Sequence, residues 1–109
     1  MNNMQISNLE SIPGTKIIKH LGMVQGNTVR AKHVGRDILA GLKNIVGGEL
    51  HAYTELLTES RQQSTDRMIA QATAMGANAV LNVRFSTSSV SAGASEIYVY
   101  GTAVVVQVE

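Results

Sequence analysis

The closing stretch Glu96–Glu109 constrains this chain most, because its alternation predicts a long β-strand with apolar residues on both faces. One face carries Ile97, Val99, Gly101, Ala103 and Val105, whose small central residues would let a helix approach closely. The other carries Tyr98, Tyr100, Thr102, Val104, Val106 and Val108. Burying a Val side chain is worth about 1.5–3 kcal/mol, so this second face calls for a cover as well. Helices on one face and a second copy of the chain on the other would meet that demand. So would helices clamping the strand from both sides, and the extra valines are also consistent with simple β-propensity. Self-association has a further attraction, since a long Val-rich edge strand is otherwise a template for uncontrolled pairing.

The rest of the chain supplies the helices. Pro13-Gly14 is a turn pair, and Thr15–Val29 is rich in β-formers but interrupted by Gly22 and Gly26, which predicts a bent or bulged strand. A short hairpin turning at Gly26-Asn27 is the alternative. Ile38, Leu39, Leu42, Ile45 and Val46 recur at helical spacing, predicting a short amphipathic helix over Arg36–Val46 that Gly47-Gly48 ends. Glu49–Met75 holds neither Gly nor Pro and predicts a long helix, with Gly76 as its C-terminal glycine. Its middle, Thr58–Arg67, is nearly all polar, as if that span overhung the sheet. Asn78–Val90 sets Leu81, Val83 and Phe85 against Asn82, Arg84 and Ser86, a half-buried strand. After a turn at Ser91–Ser95 the closing strand would pair with it antiparallel. Both helices fall between the first strand and this hairpin, so they are expected on one face of an antiparallel sheet of about three strands, in a single α+β domain over residues 1–109.

Composition narrows the function classes. A chain of 109 residues buries about 65% of its unfolded surface, enough for one core. Charged residues are only 16% of the chain, a low share for a surface fully exposed to water. The net charge of +1 offers no basic footprint for a phosphate backbone, so nucleic acid is not an expected partner. No apolar run approaches the roughly 20 residues of a membrane span, and the first residues lack a signal-peptide pattern. With no Cys there is neither disulfide, thiolate nucleophile nor cysteine-based metal site. The expectation is a soluble cytoplasmic protein.

Candidate chemistry is sparse. His20, His33 and His51 fall at no ligand spacing, and the glycines form no phosphate cradle. Arg36 and Asp37 open the short helix, where a carboxylate favours the positive helix end, so a capping and ion-pairing pair is the plain reading. Arg61, on the polar middle of the long helix, is placed to reach an acidic group of a neighbouring subunit, a bound anion or solvent. No nucleophile with a base is recognisable, so no catalytic, cofactor or metal residue is assigned and the chain is not expected to be an enzyme.

The run Arg36-Asp37-Ile38-Leu39-Ala40-Gly41-Leu42-Lys43-Asn44-Ile45-Val46-Gly47-Gly48-Glu49 resembles the central motif of the YbjQ family. Tyr53, Arg61, Ala74-Met75-Gly76-Ala77-Asn78-Ala79-Val80 and Gly101-Thr102-Ala103-Val104 match that family's long helix, junction and closing strand, so the resemblance runs from about Gly14 to the end. It implies a dodecin-like α+β subunit and a homopentameric ring. It singles out Arg36, Asp37, Gly41, Gly47, Gly48, Tyr53, Arg61, Gly76 and Gly101, with Arg36, Asp37, Gly47, Gly48, Tyr53 and Arg61 as residues of interface or ligand role. The family's label is heavy-metal binding, which meets a difficulty in a chain without Cys and without a compact set of soft ligands. The expected function is therefore a non-enzymatic, self-associating protein that takes a small ligand at subunit junctions, with metal binding as the alternative and the ligand itself unspecified.

Overall fold

The computed structural model describes residues 4–30, 51–91 and 94–109. Within them the chain runs β1 (Gln5–Ile6), β2 (Thr15–Arg30), α1 (His51–Ala74), β3 (Ala79–Ser91) and β4 (Ala94–Val108). The short helix expected over Arg36–Val46, with Gly41, lies outside the described residues. The sheet has four strands in the order β1-β3-β4-β2, against the three expected from sequence. It is mixed, because β1 pairs parallel to β3 through Gln5 with Ala79 and Ile6 with Val80. A two-residue strand carries no periodicity of its own and is recruited by the edge of β3. The expected antiparallel hairpin forms, its ladder running from Ala79 opposite Val104 to Ser91 opposite Ala94.

β2 is one continuous strand antiparallel to β4, not a hairpin at Gly26. Its irregularities fall earlier, between Ile17 and Lys19 and between His20 and Gly22. Gly22 sits at the second with φ 123°, a conformation L side chains rarely adopt. At the far end of α1, Gly76 takes φ 87°. Ala77 N–H then bonds to Ala72 O at 3.1 Å and Gly76 N–H to Thr73 O at 3.0 Å, closing the helix with a Schellman motif.

α1 lies along the sheet antiparallel to β2 and so parallel to β4. Val24, Met68, Ala72, Ala77, Val80, Val99 and Ala103 form the core between them. The polar middle of the helix does not overhang the sheet: Ser60 and Ser64 are both 0% exposed. Their hydroxyls turn inward because main-chain acceptors await them. Ser64 Oγ is 2.9 Å from Ser60 O and 3.0 Å from Ile97 O, and Thr28 Oγ1 is 2.6 Å from Ser64 Oγ and 3.0 Å from Ser60 O. Small hydroxylated residues replace the expected apolar stripe because the helix is too close for larger ones. The closeness is set at Gly26, where an added Cβ would fall 2.0 Å from Ser64 O and 2.6 Å from Met68 N. The sequence assigns that role to Gly101, whose missing Cβ instead faces the neighbouring strand, 2.6 Å from Val80 Cγ1 and 2.9 Å from Leu81 O.

Alternation along β3 breaks at Asn82, which has φ 55°. Leu81 pairs with Thr102 on the face away from the helix, whereas Val83 packs against the core and Phe85 pairs with Val99 on the helix side. The uniform Leu81-Val83-Phe85 face expected from sequence is thus split. The N-terminal segment causes the break, since Asn82 N–H donates to Leu9 O and Val83 N–H to Ser7 O, both at 3.0 Å.

Candidate assembly interface

The sheet face away from α1 carries Tyr98, Tyr100, Thr102, Val104, Val106 and Val108 of β4, as the alternation predicts. One part of it is covered within the chain. Ile12, from the segment before β2, packs with Val106 against buried Ala79, Leu81 and Val104. The remainder is open or half-buried. Tyr98 and Tyr100 lie side by side with ring centroids 5.4 Å apart. The Tyr98 hydroxyl donates to Gln25 Oε1, and Asn27 Nδ2 donates to Glu96 Oε2 at 2.9 Å, so polar side chains from β2 and β4 flank the aromatic pair.

Beyond the helix the sheet narrows to an arm. α1 is about 36 Å long at 1.5 Å per residue, and β2 about 53 Å at 3.3 Å per residue. The end of α1 lies beside Gly22, where an added Cβ would sit 3.8 Å from the Met75 terminal methyl. Thr15–His20 and the paired Val104–Val108 therefore run on past the helix, and β3 starts only opposite Val104. The side chain of Asn78 extends the β3 side by one step: Val106 N–H donates to Asn78 Oδ1 at 2.8 Å and Asn78 Nδ2 donates to Val106 O at 2.9 Å. Past that point only two strands remain among the described residues. Ile17 is 47% exposed, Ile18 54% and Val108 80%.

The two sheet edges differ. On the β3 side, β1 and the bonds from Ser7 and Leu9 reach only as far as Val83. From Phe85 to Ser91 the strand holds neither charge nor Pro and, among the described residues, has a strand only on its β4 side. On the β2 side the arm carries Lys16, Lys19 and two irregularities, all features that discourage strand pairing. Further along, two α1 side chains reach the edge: Gln25 N–H donates to Gln71 Oε1 at 2.7 Å, and Arg67 Nη1 donates to Asn27 O at 2.5 Å.

Of the residues singled out by sequence, Arg36, Asp37, Gly47 and Gly48 lie outside the described residues. Tyr53 is on the first turn of α1, where only its main chain is described. Arg61 is exposed and donates from Nη2 to Thr58 Oγ1 at 3.3 Å, one turn back on its own helix. The described structure therefore does not bring these residues into one site. The residues that shape these faces and edges within the described structure are instead Gly26, Ser64, Arg67, Gln71, Asn78 and Asn82, of which the sequence picks out Gly26 as an interruption of the first strand. Arg67 and Gln71 are four residues apart on the helix, a signal that gains meaning only once the strand beside them is known.

Metal chemistry finds little support in the donors described. No group of three His, Asp or Glu residues gathers among the described residues. Of the described thioethers, Met68 lies in the core with Met4 packed against the same cluster, Met75 lies beside Gly22, and Met23 is exposed on the opposite face. The described residues do not fit a heavy-metal centre. No helix among them is long and apolar enough to cross a membrane.

Fold and surfaces together define a small α+β protein with a mixed four-stranded sheet, one described helix, and apolar surface that the described residues leave open on one face and at one end. The chain belongs to the YbjQ family, whose profile, described as "Putative heavy-metal-binding", matches residues 4–107. A UPF0145 protein of Hahella chejuensis is 66% identical over 104 residues, covering 95% of this chain and all of that relative. Another from Psychrobacter arcticus is 64% identical over 101 residues, covering 93% of this chain and 64% of its own longer length. Among solved structures, a Pediococcus pentosaceus protein of unknown function from the DUF74 family superposes with a TM-score of 0.63 at 11% identity, covering 95% of this chain and 98% of that one. That likeness extends to the fold alone.

Proposed function

We propose that this chain is a non-enzymatic, self-associating cytoplasmic subunit that closes into a ring, of five copies as the family resemblance implies, and holds a small ligand where subunits meet. The observation that carries this reading is the two-stranded arm. An isolated pair of strands is marginally stable in water, yet this one extends past its helix with Ile17, Ile18 and Val108 exposed. A neighbouring subunit covering the arm would bury those side chains, each worth about 1.5–3 kcal/mol when fully buried. The β3 edge from Phe85 to Ser91, which no described strand covers, offers a second contact at the other end of the sheet, and two unlike contacts per subunit suit a head-to-tail ring. Tyr98 and Tyr100, with Gln25, Asn27 and Glu96 beside them, provide aromatic faces and hydrogen-bonding groups for a ligand closed in by the next subunit.

Native mass spectrometry of gently purified protein tests both parts. The expected spectrum shows a multiple of the 11.6 kDa chain together with retained small-molecule mass. A clean single-chain species at micromolar concentration refutes the assembly. Replacing Ile17 and Val108 together by Asp is expected to shift the distribution to smaller species; an unchanged oligomer shows that the arm is not the contact. The family description points to a metal instead, and elemental analysis decides the matter. Less than about one metal per ten subunits after native purification excludes a resident ion, and stoichiometric metal displaces the small-ligand reading.

A further inference from the structure

The outer edge of β2 is a ready template for strand addition, and the helix beside it occupies the main-chain groups that such addition would need. In an antiparallel sheet alternate residues of an edge strand turn their N–H and C=O outward. Gln25 and Asn27 are such residues, since the Gln25 N–H is donated to Gln71 Oε1 and the Asn27 C=O accepts from Arg67. The fit is geometric. Residues four apart on a helix are about 6 Å apart along its axis, and residues two apart on a strand are about 6.6 Å apart. With α1 antiparallel to β2, Gln71 and Arg67 therefore meet Gln25 and Asn27 in register. The side chains of Gln25 and Asn27 are engaged separately on the open face by Tyr98 and Glu96, so they do not compete for the helix.

We infer that Arg67 and Gln71 are a guard pair that closes the Met23–Val29 edge to strand pairing and so restricts how copies of this chain can associate. The strand they exclude is the β2 edge of a second copy. That edge is present at the same concentration as the protein, and two such edges related by a two-fold axis would pair antiparallel into one continuous sheet. Among the described residues nothing else protects this span: Met23–Val29 holds no charged residue, no Pro and no register shift, whereas the preceding part of β2 has Lys16, Lys19 and both irregularities. The inference deepens the proposed self-association by naming the surface that assembly avoids. It does not depend on that assembly, because a guarded edge matters equally in a monomer.

The test compares wild type with the Arg67→Ala/Gln71→Ala double variant by native mass spectrometry and amide hydrogen exchange. Both side chains are exposed, so the fold is expected to persist. The double variant should gain a species of twice the wild-type mass, whatever the wild-type mass proves to be. The Gln25 amide should exchange at least about tenfold faster in the dilute, undoubled fraction, as a single lost exposed bond allows. Arg67→Lys/Gln71→Glu, which retains a donor and an acceptor at these positions, should return the mass distribution to that of wild type. An unchanged mass distribution in the double variant overturns the inference, and so does an unchanged Gln25 exchange rate. Should the double variant fold poorly, Gln71→Ala alone reads the same amide, and an unchanged rate there overturns the inference equally. A wild-type monomer would refute the proposed ring yet leave this comparison intact.

Discussion

Replacing Gly26 by Ala should be among the most damaging single-methyl additions available in this sheet. An alanine in a strand ordinarily gains about 0.5–1 kcal/mol over glycine by restricting the unfolded chain. Here the added carbon would lie 2.0 Å from Ser64 O, 2.6 Å from Met68 N and 3.0 Å from Arg67 Cβ. The first two are main-chain atoms, so no rotamer relieves the overlap, and α1 must retreat by about 1.4 Å to restore the 3.4 Å of ordinary contact. The same retreat stretches the Thr28–Ser64 contact of 2.6 Å and the Ser64–Ile97 bond of 3.0 Å beyond hydrogen-bonding range. Buried groups left unpaired cost about 1–3 kcal/mol, and the overpacking itself costs a similar amount. The net expectation is a loss of about 3–5 kcal/mol, a large part of the 5–15 kcal/mol that holds a typical domain together. Urea unfolding at fixed subunit concentration measures it, followed by circular dichroism. A variant as stable as wild type, or more stable, would show that α1 does not rest on β2 at Gly26.

The buried hydroxyls and the left-handed turn of β3 give two further tests. Ser64→Ala removes only the hydroxyl and leaves Thr28 and the Ile97 carbonyl short of a partner, so a loss of about 1–3 kcal/mol is expected in the same unfolding assay; a neutral result means the hydroxyl contributes no net bond. Asn82, at φ 55°, should accept Gly almost without cost, whereas Asn82→Val should lose at least about 1–2 kcal/mol because a β-branched residue fits that conformation poorly. Equal stability of the two variants would mean that the bulge relaxes and that the bonds from Ser7 and Leu9 do not fix it.

Long-period features were legible in the sequence and contacts between elements were not. The helix ending at Gly76, the β3–β4 hairpin and the two apolar faces of β4 follow from residue types a few positions apart, which is the range over which backbone periodicity acts. Whether Gly26 or Gly101 admits the helix depends on which strand lies beneath it, a fact of tertiary packing. β1 escaped notice because two residues paired to an edge leave no alternation to detect. The break at Asn82 escaped for a related reason: its cause is a strap arriving from Ser7 and Leu9, far away in sequence. Of the site, the face from Tyr98 to Val108 was readable, but the motif residues Arg36, Asp37, Gly47 and Gly48 fall outside the described structure, and among the described residues Arg61 bonds to its own helix.

The polar character of α1 is then less a puzzle than a division of labour between two rows of side chains. A helix with little apolar stripe gains little from generic burial, so its docking must come from specific partners. Ser60, Ser64, Met68 and Ala72 repeat every four residues and are all fully buried, giving a narrow row whose small members permit close approach and whose hydroxyls are satisfied by main-chain groups. Arg67 and Gln71 repeat at the same interval on the flank and reach the exposed edge of β2. Both rows use one coincidence of dimensions, the near equality of four helical steps and two strand steps. A helix with a broader apolar face would need bulkier residues at 60 and 64, would stand farther from Gly26, and would carry its flank beyond reach of the Gln25 and Asn27 main chain. The close, hydroxyl-lined packing is therefore what places the guard, and loosening it at Gly26 or Ser64 should open the β2 edge as well as weaken the fold.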